Sequence, residues 1–121
     1  MDLSIPLFVY GTLKRGDVRA PMLEGQTYLG TAKTRWTYRL FNTGDYPAMV
    51  EAKPLGMVGL AIEGELWDVD LDCLARLDEE EGVDEGLYER QMIDLADGQR
   101  AWTYLYLYPV DGLADCGTHW R

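Results

Sequence analysis

The sequence predicts an α+β fold, mainly β, in which the strands curl into a small mixed β-barrel with one or two short helices beside it. Three observations lead there. One segment alternates with the two-residue period of a sheet strand, the next repeats leucine at three-residue spacing, and an Asp-Gly pair divides a third, β-rich stretch into the halves of a hairpin. The chain has 121 residues, 47% of them hydrophobic, which suits one globular domain covering residues 1–121.

Ile5 to Val9 is a short run of β-formers broken only by Pro6, and it stops at the glycine-punctuated segment Tyr10-Gly11-Thr12-Leu13-Lys14-Arg15-Gly16. A buried strand ending in a loop is expected. Thr27 to Leu40 is rich in Thr, Tyr and Trp and reads as a second strand, after which Asn42, Gly44 and Pro47 signal a turn. Val58 to Val69 alternates, with Leu60, Ile62 and Leu66 on one side and Ala61, Glu63, Glu65, Trp67 and Val69 on the other. The period then changes. Leu71, Leu74 and Leu77, with Asp70 as N-cap and Gly82 as terminator, predict a helix from Leu71 to about Glu80. Tyr88 to Ala96 and Gln99 to Tyr108 flank Asp97-Gly98, a pair favoured in two-residue type I′ turns, and predict a β-hairpin.

Twenty-one acids against eleven Lys and Arg give a net charge of −10. That field opposes binding to a nucleic-acid backbone or an anionic membrane. The imbalance is local: Glu63 to Glu89 holds twelve acids and one base, Arg76, whereas the rest of the chain is nearly neutral. Cys73 and Cys116 belong to no metal-ligand spacing or disulfide framework, so no metal site is expected and a reduced, cytoplasmic protein is. Neither a leader pattern nor an apolar run of ~20 residues is present, so the sequence reads as soluble and unprocessed. Nothing in it sets an oligomeric state.

Two segments could carry chemistry. A glycine directly after a buried strand, as at Tyr10 to Leu13, lets the backbone turn sharply and expose consecutive N–H groups to an anion, although it also suits a plain tight turn. The acids Asp78-Glu79-Glu80-Glu81 lie at the carboxyl end of the predicted helix, where the dipole disfavours them and they repel one another. Both effects raise carboxylate pKa values, and an inward-facing member would rise further, toward the range useful for proton transfer near neutral pH. A solvated acidic helix end is the plainer alternative.

Asp68, Asp70, Asp72 and Glu79 reproduce the acidic positions of an EF-hand loop, but Cys73 stands where that loop needs glycine, and the segment contains the helix instead of preceding one. Trp102, Tyr104, Tyr106 and Tyr108 point one way in the last strand and Ala101, Thr103, Leu105 and Leu107 the other, as in a strand packed on both faces, although Tyr hydroxyls on a partly open face could also line a small polar pocket. The lone His119 has no motif serine, so a hydrolase triad is unsupported.

Taken in order, Leu7-Phe8-Val9-Tyr10-Gly11-Thr12-Leu13-Lys14-Arg15-Gly16, Tyr46-Pro47-Ala48, Gly64-Glu65-Leu66-Trp67-Asp68-Val69-Asp70, Leu77-Asp78-Glu79-Glu80-Glu81-Gly82, Tyr88 and the Tyr-rich last strand span nearly the whole chain. In these pieces the chain resembles the γ-glutamylcyclotransferase-like proteins, including the plant avirulence-induced group and small bacterial members. The resemblance implies a mixed β-barrel with a cavity at its end. It implies that the loop of Tyr10, Gly11, Thr12 and Leu13 offers N–H groups to a substrate carboxylate, that Glu81 is the catalytic glutamate and that Tyr88 lies near the cavity. Glu80 departs from the bulky apolar residue common at its position, which leaves open which of the two acids faces inward.

The implied reaction suits these residues. A γ-glutamyl amide carries its own nucleophile, the α-amine, which can close a five-membered ring on the γ-carbonyl and expel the amine as 5-oxoproline forms. No cofactor is called for, and one carboxylate could accept the amine's proton and return it to the leaving nitrogen. Two other readings stand beside this one: a non-catalytic module binding a small anion or a basic protein, and a biosynthetic enzyme removing a γ-glutamyl protecting group.

Overall fold

The computed structural model describes residues 4–121. Strand β1 (Ile5–Val9) lies at the centre of a five-stranded sheet, with β2 (Thr27–Lys33) and β5 (Glu63–Val69) on one side and β7 (Arg100–Tyr106) and β6 (Tyr88–Asp94) on the other. The order is β2-β5-β1-β7-β6; β1 runs parallel to β7 and the other pairs are antiparallel. A second sheet orders β4 (Pro47–Glu51), β3 (Tyr38–Asn42) and β8 (Ala114–Gly117) as β4-β3-β8.

Alternation along β1 decides how the layers assemble. Leu7 and Val9 face helix α1 (Leu71–Glu80) and pack with Trp67, Val69, Leu74 and Leu77. Phe8, with Tyr10 just beyond the strand, faces the other way and packs with Leu40, Met49, Ile62 and Leu105 under the small sheet. The large sheet is therefore sandwiched between a helix and a second sheet, an α+β architecture. Its curl brings the edge strands together at one bridge, Thr34 with Leu95, and Ala96 N–H donates to the Lys33 carbonyl at 2.9 Å. No ladder continues from that bridge, so the expected barrel is not closed: there are two sheets.

Both ends of α1 follow the sequence. Asp70 Oδ1 accepts from Cys73 N–H at 2.7 Å, satisfying one of the unpaired donors of the first turn. At the other end Gly82 adopts φ +68°, Gly82 N–H donates to Glu79 and Val83 N–H to Asp78, the paired bonds of a Schellman ending. The buried face consists of Cys73, Leu74 and Leu77; of the three leucines expected there, Leu71 is exposed.

Four other boundaries move. The run Thr27 to Leu40 is two strands in different sheets, because Thr34 leaves the ladder and turns its hydroxyl to the backbone, accepting from Ile62 N–H at 2.9 Å and donating to the Arg35 carbonyl. Val58 to Ile62 is outside the strand it was expected to begin: Leu60 bridges Tyr38 of the small sheet, and Gly59 lies against the Trp36 carbonyl where a Cβ would come within 2.1 Å. The hairpin turn is not type I′, for Asp97 keeps negative φ; Gly98 N–H donates to the Leu95 carbonyl and Gly98 alone has φ +91°, giving a three-residue loop with a glycine bulge. The expected turn at Pro47 opens an edge strand, where proline's missing donor is harmless.

Candidate active site

Where β1 ends, the chain turns sharply at Gly11, and Lys14 N–H donates to the Gly11 carbonyl at 3.1 Å. Only glycine fits, since a Cβ there would lie 2.6 Å from Pro47 Cγ. The Thr12 carbonyl is taken by Arg19 N–H at 2.8 Å. The amides of Gly11, Thr12 and Leu13 find no acceptor among the described residues. Three consecutive free donors on a buried turn suit a carboxylate.

This turn forms one wall of a cavity. Tyr10, Thr12, Arg19, Tyr46, Tyr88 and Glu81 are among the residues that line it. All six residues named from the sequence, Tyr10, Gly11, Thr12, Leu13, Tyr88 and Glu81, are thus brought together at one site. Glu81 is its only carboxylate among the described residues.

Glu81 is the last residue of the helix turn, and its amide bonds to the Leu77 carbonyl at 2.8 Å. Its side chain is 12% exposed, against 45% for Glu80, so of the two acids Glu81 is the inward one. Burial pushes the Glu81 carboxyl up to about 7; the nearby Arg19 guanidinium opposes the rise and Glu80 adds to it. A carboxyl in that range exchanges protons readily near neutral pH.

Tyrosines form the remaining walls. The Tyr88 hydroxyl donates to the Pro47 carbonyl at 2.7 Å, and the Tyr88 ring lies 6.0 Å from Tyr46 and 5.4 Å from Tyr106. The Tyr10 hydroxyl donates to the Tyr104 carbonyl. The Tyr104 hydroxyl in turn donates to Asp78 Oδ1 at 2.7 Å, where Arg90 Nε also donates, at 2.8 Å. Burial, chiefly, holds all three phenols protonated, well above their ordinary range. Asp78 thereby fastens the end of α1 to β6 and β7, one turn before Glu81.

Arg19 is a participant that the sequence did not single out, whereas Asp78 and Tyr104 were named only within an acidic run and a Tyr-rich strand, without the parts they take here. Arg19 sits in a loop with no local pattern, and Tyr104 reads as core packing, which it also supplies. The acids with EF-hand spacing do not converge: among the described residues no three His, Cys, Asp or Glu side chains are grouped to hold a metal ion. No helix of the described residues is long and apolar enough to cross a membrane.

Known proteins resemble the chain over most of its length. Residues 7–121 match the family model described as gamma-glutamyl cyclotransferase, AIG2-like. A Vibrio cholerae protein provisionally named a gamma-glutamylcyclotransferase is 36% identical over 113 residues, covering 92% of this chain and 91% of its own. The gamma-glutamylcyclotransferase family protein YtfP of Escherichia coli is 33% identical over 107 residues, covering 88% and 87%. The crystal structure of a mouse AIG2-like protein superposes with a TM-score of 0.82 at 23% identity, covering 98% of this chain and 88% of that one, a likeness of fold.

Proposed function

The chain belongs to the gamma-glutamyl cyclotransferase, AIG2-like family, and on that premise we propose that it cleaves a γ-glutamyl amide by cyclisation, releasing 5-oxoproline and a free amine. Glu81 is the general base and then the general acid. The Gly11 to Leu13 amides hold the substrate's α-carboxylate, and Tyr10 and Tyr88 shape the cavity around the γ-glutamyl chain. The observation that carries this reading is the pairing of one buried carboxyl of raised pKa with three unpartnered amides in the same cavity.

The steps balance without another reactant. The α-amine attacks the γ-carbonyl carbon and gives its proton to the Glu81 carboxylate; the new C–N bond closes the ring. Collapse of the tetrahedral centre breaks the amide C–N bond while Glu81 returns the proton to the leaving nitrogen. Anchoring the α-carboxylate folds the substrate so that the amine reaches its own γ-carbon, which lowers the entropic part of the barrier. The two unpaired cysteines support a reducing compartment such as the cytoplasm.

Incubation with a panel of γ-glutamyl amines and γ-glutamyl dipeptides tests the proposal. Stoichiometric 5-oxoproline and amine are expected from at least one member. The free amides would equally serve a non-catalytic module for a small anion; a crystal with an anion on the Gly11 to Leu13 turn and Glu81 turned away from it would favour that reading.

A further inference from the structure

Arg19 is the one cation lining the cavity among the described residues, and it is not placed there by chance of side-chain length alone. Its amide donates to the Thr12 carbonyl at 2.8 Å, which fixes it to the turn that carries the free amides, and its carbonyl accepts from Met22 N–H at 3.0 Å in the helical turn that follows. From this base the guanidinium reaches the end of α1 and divides between two carboxylates: Arg19 Nη1 lies 3.6 Å from Glu81 Oε1, and Arg19 Nε lies 3.6 Å from Glu80 Oε1. A side cleft lined by Arg19, Tyr46, Glu80, Glu81, Leu87 and Tyr88 adjoins the cavity at this point.

Resting on the cyclotransferase reading, we propose that Arg19 is a positioning residue: its guanidinium holds the Glu81 carboxylate toward the cavity and keeps it a proton acceptor, and Glu80 competes for the same guanidinium and so limits that effect. Glu80 then has a role of its own. It is the second partner of Arg19, at the rim, and it tempers the cation that faces Glu81.

No other cation lines the cavity among the described residues. Tyr10 at the end of β1, Tyr88 on β6 and Tyr104 on β7 are phenols held neutral, the Glu81 charge adding to burial in raising them, and Glu80 on the same helix end repels Glu81. Tyr46 also lines the cavity, as a fourth phenol. Arg19 is the one charged group among the described residues that favours the ionised form, so removing it leaves burial and the repulsion from Glu80 unopposed.

The test follows the Glu81 carboxyl directly by ¹³C NMR titration, assigned by its loss in Glu81→Gln, beside the pH dependence of kcat/KM. Arg19→Met should move the Glu81 midpoint upward by about one to three pH units, the range for losing an opposite charge at this separation, and the acidic limb of the kinetic profile should move with it, costing about tenfold or more in rate below the limb. Arg19→Lys should recover most of the shift, and Glu80→Gln should move the midpoint downward by a smaller amount. Because Glu80 is half-exposed, Glu80→Gln carries the test even if Arg19→Met does not fold. An unchanged midpoint in Arg19→Met, or an upward move in Glu80→Gln, overturns the proposal. Rates that fall equally at all pH values assign Arg19 a purely structural part and overturn it too. If wild type makes no 5-oxoproline, the cyclotransferase reading fails by itself, and the NMR midpoints still decide what Arg19 does to Glu81.

Discussion

Helix α1 carries an acid at each end, and the two are held in opposite ways. Asp70, before the first turn, is exposed, accepts from the Cys73 amide and from Gln26, and sits at the positive end of the helix dipole. The Cys73 amide, first, and Gln26 hold its carboxyl below the usual range. Glu81, at the last turn, is buried at the negative end, with no amide donating to its side chain among the described residues, and its carboxyl is raised to about 7. One carboxylate stabilises the helix and the other is tolerated by it. The difference shows where this fold departs from what stability alone would select, and that departure coincides with the cavity.

The largest expected stability effect comes from removing the disfavoured charge. A carboxyl raised from 4.5 to about 7 in the folded state binds more protons folded than unfolded between those values. Its contribution to stability is therefore fully present below about pH 4.5 and is lost as pH rises through about 7. Glu81→Gln, which mimics the protonated form, should be about 3 kcal/mol more stable than wild type at pH 8 and no more stable at pH 4.5, read by urea melts at both pH values. Equal stabilities at pH 8 would erase the contrast between the two helix ends.

Next is the anchor. Asp78→Ala leaves the Tyr104 hydroxyl and Arg90 without their shared acceptor, and should cost about 2–3 kcal/mol in the same melts. A loss confined to a few tenths would mean that β6 and β7 do not hold the end of α1 through this residue. Gly82→Ala forces an L side chain to φ +68° and against Leu87 Cβ at 3.2 Å, costing about 1–2 kcal/mol. At the other end, Asp70→Ala should give the smallest change, a drop of a few degrees in Tm that disappears as pH falls low enough to protonate the wild-type cap. If Asp70→Ala instead raised Tm, the favourable end of the comparison would be wrong.

Features written in neighbouring residues were legible before any coordinates. Asp70 and Gly82 bound the helix because caps and left-handed terminators act within a few residues, and the alternation along Leu60 to Val69 placed Ile62 and Leu66 on one face and Trp67 and Val69 on the other. Features made by distant contact were not. Thr34 ends one strand through a hydroxyl bonded to Ile62, 28 residues away, and β8 has no apolar signal, being a short exposed strand held where Asp115 meets Arg39. At the site, the family pattern and the glycine after β1 marked Glu81 and the Tyr10 to Leu13 loop. Arg19 carried no mark, since its role comes from 60-odd residues of chain returning beside it, and Tyr104 looked the same as its packed neighbours.

The account rests on Glu81 as a carboxyl kept in an unfavourable place for proton transfer, and one assay tests that most directly: 5-oxoproline release by wild type and by folded Glu81→Gln across the γ-glutamyl panel. Wild type is expected to turn over at least one substrate and Glu81→Gln to be slower by at least about a hundredfold, while melting no lower than wild type. A folded Glu81→Gln protein that releases 5-oxoproline at the wild-type rate would contradict it.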